Sequence, residues 1–168
     1  MQSVDETLEL KLGELLRLHG WRLAVAESCT GGLIGHRITN VAGSSTYYMG
    51  SITAYAYEAK VRLLGVRWET LEQHGAVSRE TVLEMARGVR LALAADIGMA
   101  VSGIAGPGGG TPEKPVGLAC IGLSTALHEM SWSFVWSGDR RQNKEQSADA
   151  VLRLLVEYLQ QHAVEKLI

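Results

Sequence analysis

Apolar residues recur along this chain with two different periods, and the switches between them predict the order of helices and strands. Apolar stripes and cap residues predict helices near residues 8–20, 30–40, 58–64, 68–73, 78–93 and 137–159. Alternating or short apolar runs predict strands at residues 21–26, 46–57, 96–102, 116–123 and 130–136. Ser3, with Glu6 three residues later, predicts a capping box before the first helix.

The order of these elements predicts the fold class. Helices separate the first three strands, which favours parallel crossovers, whereas tight connections join the last three, which favours antiparallel pairing. The chain therefore predicts an α/β fold, a three-layer α/β/α sandwich with a mixed, mostly parallel sheet of about five strands. We find no internal repeat and no second domain in the sequence, so residues 1–168 are interpreted as a single domain.

One strand–turn–helix corner, residues 26–32, is the first candidate for a functional site. Ser28 lies on the turn, and Gly31 and Gly32 follow it. The first N–H groups of a helix lack partners inside the helix and lie at the positive end of its dipole. The corner is therefore suited to an anion or a developing oxyanion, with Ser28 as nucleophile. The alternative is that the corner has no functional role, because strand–turn–helix corners with two glycines are common in proteins.

A serine hydroxyl needs a base at neutral pH, and the chain offers several candidates. These are His36, His74, Lys60 and Lys114. His36 lies two turns into its helix and His74 lies in a turn, so both are interpreted as ordinary surface or loop residues. Lys60 comes just after a strand, where a lysine can enter a crevice, lose its hydration and act as a neutral amine. Its alternative is a solvated helical lysine.

Cys29 is the rival nucleophile, because a thiol at a helix N-terminus has a lowered pKa. Neighbouring side chains point in different directions, so Ser28 and Cys29 cannot both face the same crevice. A small buried cysteine is also a common core residue. We therefore favour Ser28.

Residues 103–115 form a second candidate region. All three prolines of the chain lie here, and the segment is too rich in glycine and proline to be regular. It contains neither a Walker A motif nor the dinucleotide glycine spacing, so it is either a backbone wrapped around a ligand or a wide hairpin connection. Ser102 at its start offers a second hydroxyl. Arg140, at the start of the last helix, either holds a phosphate or carboxylate or is simply exposed.

These segments are predicted to meet although they are far apart in the chain. Ligands of open α/β sheets bind outside the carboxyl ends of the strands. Ser28, the end of strand 46–57 and the loop 103–115 all follow predicted strands. We therefore expect them to converge on one crevice.

Composition excludes several classes of function. The formal net charge of −2 gives no electrostatic footprint for nucleic acid. No apolar run is long enough to span a bilayer, and the acidic N-terminus does not fit a signal peptide. Two cysteines do not suggest a disulfide framework and favour a cytoplasmic protein. Without a CxxC or HExxH motif, no metal site is predicted.

Six segments taken together resemble the CinA C-terminal domain family. They are AESCTGG at 26–32, YAYEAK at 55–60, GAVS at 75–78, SGIAGPGGG at 102–110, EKPVG at 113–117 and SGDR at 137–140. The resemblance covers nearly the whole chain in the family's order, and it is to the stand-alone form, without the N-terminal domain of the longer competence-damage protein CinA. Characterised members are nicotinamide-nucleotide amidohydrolases, also called NMN deamidases.

The resemblance implies hydrolysis of nicotinamide mononucleotide to nicotinic acid mononucleotide and ammonia, as in NAD recycling, without a cofactor or metal. It implies Ser28 as nucleophile, Lys60 as its base and Tyr55 as a hydroxyl partner in the proton relay. Backbone N–H groups near Thr30 and Gly31 would hold the oxyanion, and the glycine–proline loop and Arg140 would hold the ribose phosphate. The implied substrate-binding positions are Thr30, Gly31, Gly32, Ser102, Gly103, Gly106, Gly109 and Arg140.

Departures from the family pattern leave alternatives open, and one of them is that the stretch 50–54 is less rich in glycine than usual. Tyr57 stands where the family usually has a small polar residue, and Arg140 is followed by Arg141-Gln142-Asn143-Lys144, without the usual apolar residue. One alternative is a catalytically silent nucleotide-binding module, or a partner of competence and DNA-repair proteins; another is a hydrolase that uses Cys29. The expected partner is a small-molecule pyridine nucleotide, with neither nucleic acid nor membrane. Four tryptophans and Tyr47-Tyr48 leave room for a homodimer interface.

Overall fold

The structure, a computed structural model, describes residues 6–162 and forms one central sheet with helices on both faces. The elements are α1 (Glu6–His19), β1 (Leu23–Glu27), α2 (Leu33–Thr39), β2 (Tyr48–Thr53), α3 (Tyr57–Leu64), α4 (Trp68–His74), α5 (Arg79–Ala92), β3 (Ile97–Gly103), β4 (Leu118–Ser124), β5 (Glu129–Val135) and α6 (Arg140–Gln161). None of the described helices is both long and apolar enough to cross a membrane. The capping box predicted at Ser3 lies outside the described residues.

The strands are ordered β2-β1-β3-β4-β5. β1 pairs in parallel with β2 and with β3, whereas β4 pairs antiparallel with β3 and with β5. Four of the five strands therefore run in the same direction. The predicted α/β class, five-stranded mixed sheet and crossover pattern are confirmed. The carboxyl ends of β1, β2 and β3 lie at the same edge of the sheet, which places the segments that follow them side by side.

The two faces of the sheet carry side chains of different size. Large residues of the strands, such as Val25 and Met99, face one core with α1, α2 and α6. Small residues, such as Ala26 and Ala100, face the other core with α3, α4 and α5. A Cβ atom on Gly98 would lie 2.2 Å from the Ala86 carbonyl oxygen, so α5 packs almost directly on the backbone of the sheet. This alternation along each strand is what makes the three layers.

Two predicted elements end earlier or begin later than expected, and both changes fall at the crevice. The strand predicted at 46–57 is β2, which ends at Thr53, and Tyr57 already belongs to α3. The helix predicted at 30–40 begins only at Leu33, because Gly31 and Gly32 have φ angles of +63° and +102° and form a left-handed turn before it. The polypeptide at this edge is therefore more irregular than the apolar pattern predicts.

Candidate active site

Ser28 is the first residue after β1. It is buried at the edge of the sheet where the parallel strands end. Its backbone N–H donates to the Val101 carbonyl at 3.1 Å, which continues the pairing of β1 with β3 for one residue. The side chain is 7% exposed. Ser28 is thus held by the sheet itself, with its hydroxyl toward the layer of α3 and α5.

Lys60 brings the second polar group to this hydroxyl. Its side chain is 1% exposed, and its Nζ atom lies 3.0 Å from the Ser28 Oγ atom. The same nitrogen donates to the carbonyl oxygens of Ala54 at 2.8 Å and Tyr55 at 3.0 Å. No acidic residue pairs with this amine among the described residues. The predicted meeting of Ser28 and Lys60 is therefore present in the structure.

Burial sets the protonation of Lys60. Because the charged form loses its hydration, the pKa of the Lys60 amine falls from 10.5 to about 8. A neutral amine keeps two hydrogens and one lone pair. If the two hydrogens go to the carbonyls of Ala54 and Tyr55, the lone pair is left for the hydrogen of the Ser28 hydroxyl. This geometry meets the requirements for a lysine that accepts the proton of a serine hydroxyl.

Glu27 occupies the helix N-terminus that the sequence offers as an anion site. Its side chain is fully buried. Its carboxylate accepts hydrogen bonds from the Thr30 hydroxyl at 2.6 Å and from the backbone N–H groups of Ile34 at 3.0 Å and Gly35 at 3.1 Å. The chain thus supplies its own anion to the dipole of α2. The expectation that the first turn of this helix is open to a substrate anion is wrong.

The loop before α2 keeps other backbone donors at the corner. The N–H of Gly31 donates to the Ser28 carbonyl at 3.1 Å, so this donor is already used. For the N–H groups of Thr30 and Gly32, the part of the chain that the structure describes contains no acceptor. These two groups, together with the Cys29 N–H, which also has no acceptor on another described residue, are backbone donors that an oxyanion can use. The Thr30 hydroxyl serves Glu27 rather than a ligand.

We expect Glu27→Gln to destabilise the fold. An amide can replace only one carboxylate oxygen as an acceptor, and its NH2 group would then face a backbone N–H. The free energy of unfolding should fall by about 2–3 kcal/mol, measured by urea denaturation. Glu14→Gln, at an exposed position of α1, is the matched control and should leave the unfolding midpoint unchanged. Equal stability of the two variants would contradict the role given to Glu27.

Cys29 points into the opposite core. Its side chain is 8% exposed and packs with α1, α2 and α6, and its Sγ atom lies 3.0 Å from where a Cβ on Gly103 would be. Burial raises the pKa of the thiol to about 11. The expectation of a lowered pKa is therefore wrong, since the thiol is enclosed by the core rather than presented to the helix N-terminus. Ser28 and Cys29 do face different sides of the sheet.

Tyr55 takes a different place from the one the resemblance implies. Its carbonyl oxygen accepts from Lys60, but its side chain is 64% exposed. The Tyr55 hydroxyl accepts a hydrogen bond from Arg140 Nη2 at 3.3 Å, and neither Ser28 nor Lys60 bonds to it among the described residues. The structure therefore does not bring this hydroxyl into a relay with the Ser28–Lys60 pair.

Arg140 joins the last helix to the glycine–proline loop. Its Nη1 atom donates to the Gly106 carbonyl at 2.7 Å. Together with the contact to Tyr55, this places the exposed guanidinium across the mouth of the crevice. Gly106 is buried, and a Cβ there would lie 2.5 Å from Val116 Cγ1, so the loop folds tightly on itself. The substrate roles of the loop and of Arg140 remain predictions.

The other predicted binding positions fall on this loop or beside it. Ser102 is 1% exposed and stands next to Ser28 in the β1–β3 pairing. Gly103 ends β3, and Gly109 is exposed near the tip of the loop. The structure thus gathers Ser28, Ser102 and the loop at one edge of the sheet, as predicted.

The remaining candidate bases do not reach Ser28. His36 is exposed on α2. His74 Nδ1 lies 3.8 Å from Glu80 Oε1, and the Lys114 ammonium donates to the His74 carbonyl. His74 and Lys114 therefore make their contacts at the surface, where α4 ends near the glycine–proline loop. Among the described residues no group of three or more His, Cys, Asp or Glu side chains is arranged to hold a metal ion.

Sequence reasoning missed three residues at this site. They are Glu27, Asn143 and Lys144. Asn143 lies in the segment after Arg140 that lacks the usual apolar residue. Its amide NH2 donates to the Ala105 carbonyl at 3.0 Å, and its oxygen accepts from the Gly138 N–H at 3.0 Å. It thereby ties α6 to the glycine–proline loop. The available signal was the helical spacing of 140, 143 and 144, which puts all three on one side of α6.

Comparison with known proteins agrees with this architecture. The model of the CinA C-terminal domain matches residues 5–159. The chain belongs to the CinA C-terminal domain family. A CinA-like protein of Chloroherpeton thalassium is 49% identical over 161 residues, which cover 94% of this chain and 38% of that protein. The chain thus spans little more than a third of the length of this curated relative.

Solved structures of the CinA superfamily share the whole fold. One from Klebsiella pneumoniae has a TM-score of 0.89 at 33% identity and covers 93% of this chain and 98% of that one. A competence/damage-inducible protein from Agrobacterium tumefaciens has a TM-score of 0.88 at 36% identity, and the match covers 90% of this chain and 93% of that one. The match thus takes in almost the whole of each of these solved chains.

Proposed function

We propose that this CinA domain hydrolyses the carboxamide of nicotinamide mononucleotide, giving nicotinic acid mononucleotide and ammonia. The observation that carries the proposal is the Lys60 amine, buried without an acidic partner among the described residues and 3.0 Å from the Ser28 hydroxyl. Burying an amine without a counter-charge is unfavourable for folding, and ionisable groups with perturbed pKa values cluster at functional sites. The buried Lys60 amine beside a serine therefore supports a catalytic role. The substrate itself comes from the resemblance to the NMN deamidases.

The proposed chemistry begins with Lys60 in its neutral form. Its lone pair takes the proton of the Ser28 hydroxyl as Oγ attacks the carboxamide carbon. The C=O oxygen becomes an oxyanion, for which the backbone N–H groups of Cys29, Thr30 and Gly32 are available donors. The Lys60 ammonium then protonates the amide nitrogen, the C–N bond breaks and ammonia leaves.

The second half of the reaction reverses these roles. Loss of ammonia leaves an ester between Ser28 Oγ and the nicotinoyl carbon, and Lys60 is neutral again. It accepts a proton from a water molecule that attacks the ester carbon. When the ester bond breaks, Lys60 returns this proton to Ser28 Oγ, and the acid product carries the water oxygen. Arg140 and the loop at Gly106 are proposed to hold the ribose phosphate.

The direct test is ammonia release from nicotinamide mononucleotide. We expect one ammonia and one nicotinic acid mononucleotide per substrate consumed. The rate should be the same in EDTA, because the proposed steps use only groups of the polypeptide and water. Coupled ammonia detection and chromatography of the nucleotides measure both products. A chain that binds the mononucleotide, seen as a raised Tm, but releases no ammonia would contradict the proposal.

The second candidate is a nucleotide-binding module without activity, acting with competence or repair proteins. Two observations favour it. The relative from Agrobacterium tumefaciens is named for competence and damage induction. Tyr57, at the start of α3, departs from the family pattern, and its hydroxyl accepts a weak hydrogen bond from the Ala76 N–H at 3.4 Å. Binding without turnover in the same assay is the result that this candidate predicts.

A further inference from the structure

Lys144 is a positively charged side chain that reaches the Ser28 corner and that the proposed chemistry does not use. It lies on the second turn of α6 and is half-buried. Its Nζ atom is 3.8 Å from where a Cβ atom on Gly31 would be, so the ammonium lies over the turn three residues after Ser28. The same charge lowers the pKa of the neighbouring Cys29 thiol, against the larger effect of burial. Two lysines therefore reach this corner, Lys60 from α3 and Lys144 from α6.

The charge of Lys144 is not neutralised inside the described chain. No described carboxylate lies within ion-pair distance of it. The neighbouring charges have their own partners: Arg141 pairs with Glu145 at 3.0 Å, and the Asp139 side chain caps α6 by accepting from the Gln142 N–H. Lys144 thus presents a free positive charge to the corner.

Arg140 is the second free cation on the same side of the helix. Residues four apart in a helix are neighbours on its surface, so Arg140 and Lys144 face the crevice together. The partners of Arg140 are neutral oxygens, the Gly106 carbonyl and the Tyr55 hydroxyl. Within residues 6–162 no carboxylate forms an ion pair with it. Asn143 between them anchors this side of α6 to the loop at Ala105. The helix is therefore fixed with two unpaired cations toward the mouth of the site.

Such a pair has the chemistry of a phosphate site. A guanidinium matches two oxygens of a phosphate at once, and an ammonium adds a compact charge that can approach from another side. A terminal phosphate monoester carries about two negative charges at neutral pH, which two cations balance. An unphosphorylated nucleoside lacks the anionic group that would bind these two cations.

We propose that Lys144 is a specificity-determining residue, which binds the substrate phosphate together with Arg140 and so selects nucleoside monophosphates over unphosphorylated nucleosides. The inference rests on the proposed function, because it assigns this cation to the substrate of the Ser28–Lys60 site. It differs from a role in the oxyanion hole, which would act equally on every amide.

The test measures kcat/KM of Lys144→Met and of the unaltered protein with two substrates. These are nicotinamide mononucleotide and nicotinamide riboside, which lacks the phosphate. Loss of one charged contact is expected to lower kcat/KM for the mononucleotide by about 10- to 100-fold, mainly through KM. The value for the riboside should change by less than about twofold, as for other substitutions that leave the contacts to the reacting group in place. Lys144→Arg should keep most of the selectivity. Arg141→Met, on the outer side of the same helix turn, is the matched control and should change neither substrate.

Two results would overturn this assignment. Equal losses for both substrates would place Lys144 at the reacting group, and no loss for either would remove it from the site. Binding of nicotinic acid mononucleotide, measured by calorimetry, separates this inference from the proposed reaction. If the chain binds the mononucleotide without hydrolysing any amide, weaker binding to Lys144→Met still supports the phosphate site, whereas equal binding, or no binding to the unaltered chain, rejects it.

Discussion

Ser28→Ala is expected to lower kcat for release of ammonia from nicotinamide mononucleotide by at least about a thousandfold. The substitution removes the only atom that forms the proposed covalent bond to the substrate. The fold should persist, since Ser28 is held through its backbone N–H, which alanine keeps. Steady-state ammonia release and the thermal midpoint of the same preparation measure the two effects separately.

Cys29→Ala is the control that separates the two candidate nucleophiles. The thiol is enclosed by the core and its pKa is raised to about 11, so almost none of it is thiolate near neutral pH. We expect this variant to keep turnover within a few-fold, with a lower thermal midpoint from the lost packing. Full activity of Ser28→Ala, with loss of activity in Cys29→Ala, would reverse the assignment of the nucleophile.

The meeting of Ser28 and Lys60 could be predicted because it depends on the general geometry of α/β sheets. Parallel strands end at one edge, so residues that directly follow two adjacent strands lie close together however far apart they are in sequence. Ser28 follows β1, and Lys60 lies in the helix after β2. The pattern of apolar residues was enough to find both strands and to place Lys60 near this edge. It left open whether Lys60 is a base or a solvated helical lysine, and the resemblance to the family favoured the base.

The place of Tyr55 could not be predicted in the same way. Its aromatic and β-branched neighbours extended the predicted strand to Tyr57, but β2 ends at Thr53. The carbonyl groups of Ala54 and Tyr55 turn to accept from Lys60 instead of continuing a strand. Propensity favours a strand here, and the hydrogen-bonding need of a buried amine ends it. The contact spans only five or six residues, but it depends on the burial of Lys60 by the rest of the fold, for which the local sequence carries no signal.

Glu27 and Lys144 were missed for opposite reasons. Glu27 lies inside the recognised motif, but the sequence was interpreted without considering that its carboxylate accepts from the first N–H groups of α2 and fills the anion site. Lys144 lies 113 positions after Gly31, and only the packing of α6 against the corner brings its ammonium there. Both residues change the electrostatics of the corner without changing the fold class.

Lys60→Met should abolish hydrolysis to a similar extent as Ser28→Ala, because it removes the only described side chain that hydrogen-bonds to the Ser28 hydroxyl. We expect a loss of kcat of at least about a thousandfold. Lys60→Arg should be equally inactive, since a guanidinium stays charged and cannot accept the serine proton. Lys11→Met, at an exposed position of α1, is the matched control.

The pH dependence gives the sharper test of the base. Only the neutral form of Lys60 can accept a proton, and its pKa is lowered by burial to about 8, below the usual 10.5. In the free protein kcat/KM should therefore rise about tenfold per pH unit up to about pH 8 and then level off. At pH 7 about a tenth of the amine is neutral, whereas an ordinary lysine would leave less than about one part in a thousand. A flat profile between pH 6 and 9, or one that falls as the pH rises, would exclude a neutral lysine as the base and leave the Ser28 hydroxyl without a group to activate it.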